Sequence, residues 1–199
     1  MANATVGVGM TRPYLNQGDP AWAATKCGLS TTTTIQQAGC VLTSLAIALR
    51  SLGIDPTATP VTVQAKALAA WRASRLPQPF ATDSAAAVID VVGRASGLDV
   101  GAVLQGRTGR LWSTLMAALG GGRALLHVDT ANDGVDNAHH WVLALRQDGR
   151  DVVFADPDGG LEGRLPWDSL EGLSPKGKPY RVLALRAVAP LRTSPHSDR

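Results

Sequence analysis

The sequence predicts an α+β protein in which an N-terminal helical half packs on a C-terminal antiparallel sheet. Three observations carry this. Up to about residue 120 the chain is Ala-rich, with apolar residues recurring every three or four positions, the period of a helix with one buried face. Beyond it the apolar residues are mostly Val and Leu in short runs, the habit of strands. A length of 199 residues, with 45% hydrophobic and 18% charged, suits one well-filled core and excludes a disordered chain.

The first helix starts near Gly39 and carries Val41, Leu42, Leu45, Ala48, Leu49 and Leu52 at helical spacing. Gly53 ends it, because glycine tolerates the positive φ of a helix stop. The second opens at Pro60, where proline suits a first turn, and runs through Val63, Ala67, Leu68 and Trp71. Asp83 and Ser84 cap a third, which carries Ala87, Val88, Val91 and Val92 to about Ser96. A fourth spans Gly109 to Leu119 and stops at Gly120-Gly121-Gly122. Ala124–Val128 is the first strand. Trp141–Arg146 and Asp151–Ala155 flank Gln147-Asp148-Gly149 and read as a hairpin with an Asp-Gly turn. Arg181–Val188 is a last strand, returning beside that hairpin. Residues 1–12 read as a flexible lead-in, 13–189 as one domain and 190–199 as a disordered tail.

Composition removes several function classes. A formal charge of +3 with no Lys/Arg cluster argues against a nucleic-acid partner. The N-terminus lacks the basic start and long apolar stretch of a secretory signal. The longest apolar stretch, Val41 to Leu49, is broken by Thr43 and Ser44 and falls short of the roughly 20 residues that span a bilayer. These features predict a soluble protein with no membrane partner, cytoplasmic or exported by a route that needs no signal peptide. Two cysteines, Cys27 and Cys40, are too few for a disulfide scaffold, although they would suffice for one bridge in an oxidising compartment. His139, His140, Asp136 and Asp156 lack metal-ligand spacing, so no metal or cofactor is expected.

Chemistry concentrates at a few positions. Cys40 opens an apolar helix, where the unpaired N–H groups of the first turn favour a thiolate. Gly39 before it permits a sharp turn or a close substrate approach. The alternative is a small apolar residue of a core helix. His139 and His140 precede the strand from Trp141, and the next strand ends at Phe154-Ala155-Asp156-Pro157. Pairing as a hairpin sets an imidazole beside a carboxylate, the arrangement that orients a catalytic base. Against this, a His pair before a strand is often a solvated loop, and Asp156-Pro157-Asp158-Gly159-Gly160 makes a good turn whatever the chemistry. His127, inside an apolar strand, reads as a core histidine, and Trp141 is the aromatic best placed to wall a cleft.

Taken in order, Tyr14-x-x-Gln17-x-Asp19-Pro20-x-Trp22, Gly39-Cys40-x-x-Thr43-Ser44-Leu45-Ala46, His140-Trp141-Val142-Leu143 and Asp156-Pro157-x-x-Gly160 resemble the papain-like family related to bacteriocin-processing (double-glycine leader) peptidases. The resemblance covers roughly Pro13 to Val188 and implies a papain-like cysteine peptidase fold over the domain. It implies Cys40 as nucleophile, His140 rather than His139 as base, Asp156 as orienting acid and Gln17 as a side-chain donor to the oxyanion hole. Gln36 and Gln37, nearer the cysteine, compete for that last role. The implied activity is cofactor-free cleavage of a peptide or isopeptide bond in a peptide, protein or peptidoglycan-stem substrate. Deamidation or acyl transfer by the same triad, and a non-catalytic peptide-binding module, are the alternatives. Two departures stand out. Val41 occupies a position that is often Gly in the family. The chain also has no membrane segment or phosphate loop, so leader processing on a transporter is not supported.

Overall fold

The computed structural model of the chain describes residues 14–74, 85–130 and 140–191. Its helices follow from the apolar spacing. The short α1 (Ile35–Ala38) leads into α2 (Cys40–Ser51), in which every residue from Cys40 to Leu49 is buried. A helix apolar on all sides belongs at the centre of a fold. Around it come α3 (Pro60–Ser74) and α4 (Ala85–Ala95), and α5 (Thr108–Leu119) follows later in the chain. The caps expected at Asp83 and Ser84, the lead-in 1–12 and most of the 190–199 tail lie outside the described residues.

Among the described residues eight strands form one sheet: β1 (Leu98–Val100), β2 (Leu104–Gln105), β3 (Arg123–Asp129), β4 (His140–Asp148), β5 (Asp151–Asp156), β6 (Leu161–Pro166), β7 (Glu171–Leu173) and β8 (Pro179–Pro190). All pairings are antiparallel, in the order β1-β8-β3-β4-β5-β6, with β2 and β7 also on β8. The molecule is therefore α+β.

Both faces of the sheet are covered. Leu125, Trp141, Leu143, Leu145, Ala155 and Val188 pack with α2, α3 and α4. Leu126, Val128, Val142, Ala144 and Phe154 pack with Leu111 and Leu115 of α5 on the other side. This corrects the picture of one helical half on one face. β3 is buried at six of its seven residues, and a strand apolar on both sides needs cover on both.

Three further expectations are corrected. The hairpin loop is Gly149-Arg150, since Asp148 pairs with Asp151, and Gly149 sits at φ 60, where a two-residue turn favours glycine. β8 lies beside β3 and not beside the hairpin, whose free edge on β5 is taken by β6. That strand is exposed at four of its six positions, so it carries little apolar signal. Finally, β8 runs to Pro190 and Leu191 N–H donates to the Gly97 carbonyl (2.9 Å), so order extends two residues into the expected tail.

Candidate functional site

Cys40 is the first residue of α2 and is only 8% exposed. Gly39 before it has φ −85 and ψ 11, which any residue adopts, so conformational freedom is not why glycine is there. A Cβ at Gly39 would lie 2.5 Å from the Ile35 carbonyl oxygen. Glycine is what lets α1 abut the start of α2 so closely. One turn further on, the buried Ser44 hydroxyl donates to the Trp141 carbonyl (3.2 Å). This bond pins the helix that carries Cys40 to the strand residue next to His140.

His140 begins β4, and Asp156 ends β5. Leu143 pairs with Ala155, so Asp156 falls opposite Val142, two residues from His140 and on its face of the sheet. A bulge between Ala144 and Arg146 produces this alignment. Had the Asp148–Asp151 register continued unbroken, Asp156 would fall opposite Leu143 and point to the other face. As built, His140 Nε2 meets Asp156 Oδ1 at 2.9 Å.

Asp156, only 1% exposed, also accepts the Asp158 backbone N–H (2.9 Å) and, at Oδ2, the Tyr180 hydroxyl (2.8 Å). Burial first, and then the Asp156 carboxylate, keep that hydroxyl protonated well past the usual tyrosine range. With Nε2 committed to Asp156, Nδ1 is the ring nitrogen left to face Cys40, which lies near enough to help raise the ring's pKa. Burial opposes charging this imidazole, yet Asp156 and Cys40 outweigh it and raise its pKa from 6.5 to about 9.

Gln17 is fastened to the same corner. Its backbone N–H donates to the Pro157 carbonyl (2.8 Å), and Asn16 Oδ1 accepts the Gly159 N–H (3.2 Å). Gly160, at φ 66, brings the turn after Asp156 against Asn16, whose nitrogen would stand 3.1 Å from any added Cβ. Gln17 Nε2 donates to the Gln36 carbonyl (2.8 Å), which orients the amide and leaves one of its two N–H bonds available. Gln37 is committed elsewhere: its Oε1 accepts the Thr34 N–H (2.9 Å) at the start of α1. Gln17, Gln36, Thr130, His140, Lys178 and Tyr180 face a cavity of about 350 Å³.

Cys40, His140 and Asp156 are thus brought together, and Gln17 shares a cavity with His140. His139 and Asp136 lie outside the described residues. Trp141, expected to wall the cleft, is instead buried in the core and stacks on His127 with ring centroids 4.7 Å apart. The cause is alternation: it follows His140 on β4 and so points to the opposite face. Cys27 and Cys40 are both free thiols, and burial, then Cys40, push the Cys27 pKa up to about 11. Among the described residues no three His, Cys, Asp or Glu side chains gather as a metal site, and no helix is long and apolar enough to cross a membrane.

Sequence reasoning missed Ser44 as a tether, although it lies within the quoted cysteine segment. It also missed Tyr180, whose partner is 24 residues away on another strand and left no sequence signal. Compared with known proteins, the chain matches no family model and no curated protein.

Proposed function

We propose that this protein is a thiol-dependent hydrolase, papain-like in fold, that cleaves a peptide or isopeptide bond through Cys40, His140 and Asp156. One observation carries the proposal: a single imidazole has a buried carboxylate on Nε2 and a helix-N-terminal thiol as its other partner. Further support for the fold is a buried helix bearing the cysteine, packed on an antiparallel sheet whose strand ends bear the histidine and the acid.

In the reaction, the Cys40 sulfur attacks the amide carbonyl carbon while His140 holds the proton. The oxyanion that forms is met by the Cys40 backbone N–H and the remaining N–H of Gln17. His140 then gives its proton to the leaving amine as the C–N bond breaks, leaving a thioester. Water, deprotonated by His140, adds to the thioester and expels the thiolate. Asp156, held in turn by Tyr180 and the Asp158 N–H, keeps the ring in the orientation that both transfers need.

The test is mass spectrometry of peptide, isopeptide-linked and peptidoglycan-stem substrates after incubation with the protein. Cleavage that falls roughly 10³-fold or more in Cys40→Ala is expected. A mass gain of about one dalton on an uncut chain, or a joined adduct, would replace hydrolysis with deamidation or acyl transfer. Cleavage that persists in Cys40→Ala would overturn the assignment of the nucleophile.

A further inference from the structure

We infer that the cavity beside His140 is a carboxylate-binding subsite, with Lys178 as the group that selects an acidic substrate. The subsite belongs to the hydrolase proposed above and supplies its substrate class.

The inference starts from an unequal count of charges. Asp158 is shared by two lysines: Lys176 Nζ lies 2.6 Å from Oδ1, and Lys178 Nζ stands 3.5 Å from Oδ2. Burial works against the Asp158 charge, but the Lys176 and Lys178 ammoniums hold its carboxyl below the usual carboxylate range. One carboxylate against two ammoniums leaves a positive charge over. Lys176 holds the close contact, so Lys178, 58% exposed at its side chain and facing the cavity, is the one with coordination to spare.

Its backbone is well fixed. Lys178 N–H donates to Ser174 Oγ (2.9 Å), and its carbonyl accepts Ser174 N–H (2.7 Å) across a turn in which Gly177 has φ 77. Two residues on, Tyr180 lines the same cavity. Gln36 and Thr130 add amide and hydroxyl groups able to donate hydrogen bonds, and among the described residues Asp158, already paired twice, is the one acidic side chain of the lining. A cavity of about 350 Å³ that His140 also lines admits a carboxylate close to the scissile amide. The carboxylate can come from an acidic side chain or from a free chain terminus; the chemistry of recognition is the same.

Two measurements on the full chain test this. Alkylation of Cys40 by iodoacetate is compared with alkylation by iodoacetamide, read by peptide mass mapping. Cleavage is compared for peptides paired Glu against Gln near the cut and free against amidated at the C-terminus. The expected result is a preference for the anionic member that falls roughly three- to fivefold in Lys178→Gln, the size of one partly exposed charge pair, and shrinks with added salt. In the cleavage assay that loss appears in KM and leaves kcat nearly unchanged. Lys66→Gln, which removes the same charge on α3, leaves the preference intact. Loss confined to the Glu pair assigns a side-chain carboxylate, and loss confined to the free-terminus pair assigns a terminal one. If Cys40 reacts and peptides are cut with no charge preference, or with one unchanged in Lys178→Gln, the subsite is overturned and the hydrolase stands. If Cys40 is inert to both reagents and no peptide is cut, both fall.

Discussion

A carboxylate with 1% exposure survives only if its lone pairs are occupied, and Asp156 has three partners: the His140 ring, the Asp158 N–H and the Tyr180 hydroxyl. Tyr180 is thus a positioning residue, acting on the ring through the acid. Tyr180→Phe leaves Asp156 Oδ2 without its hydroxyl donor, at a cost of about 1–3 kcal/mol in stability. In steady-state kinetics it lowers kcat about tenfold with little change in KM, whereas a merely structural loss would leave the kcat of the folded fraction unchanged. Cys40, His140 and Asp156 were legible as candidates because each sits at the end of an element: a cysteine opening an apolar helix, a histidine opening a strand, an aspartate closing one. Tyr180 was not, since nothing local distinguishes a tyrosine near the start of a strand from any other β-former. The need for glycine at position 39 was legible, but a sharp turn is not its cause, and the clash with Ile35 is a tertiary fact.

At the scale of elements, the site depends on how one helix and one hairpin are held in register. The bulge near Leu145 turns Asp156 to the His140 face, and the Ser44 hydroxyl ties α2 to the Trp141 carbonyl. A bulge leaves no mark in a run such as Trp141-Val142-Leu143-Ala144-Leu145, where every residue is apolar. The hairpin was therefore legible, while the alignment of its far end was not. Ser44→Ala removes the tether and is expected to cost about 1 kcal/mol by chemical denaturation. It should also slow Cys40 alkylation severalfold at neutral pH while circular dichroism stays native. Unchanged alkylation in that variant would mean that packing alone positions the helix. β6 escaped notice for a different reason: Glu162 and Arg164 make an edge strand look like a loop.

Across the whole molecule, one helix layer and α5 enclose the sheet, and the site lies where the ends of β4 and β5 meet the start of α2. The fold class was legible from periodicity alone. The second covered face was not, because a short apolar strand reads alike whether one side is buried or two. The segment at Asn16–Gln17 is bonded to the turn after Asp156, so residues as much as 143 positions apart close one corner. What this assembly does to one sulfur is the point to measure. His140 keeps its proton up to about pH 9, so below that pH a positive charge stands beside Cys40, and as pH rises through 9 it is lost. Cys27, raised to about 11, stays largely protonated and silent over the same range. The decisive measurement is the rate of Cys40 alkylation against pH in wild type and His140→Ala. Wild type should react already at about pH 6 and change little toward about pH 8, while the variant should climb about tenfold per pH unit like an unassisted thiol. A steep climb in wild type that His140→Ala leaves unaltered would contradict the account.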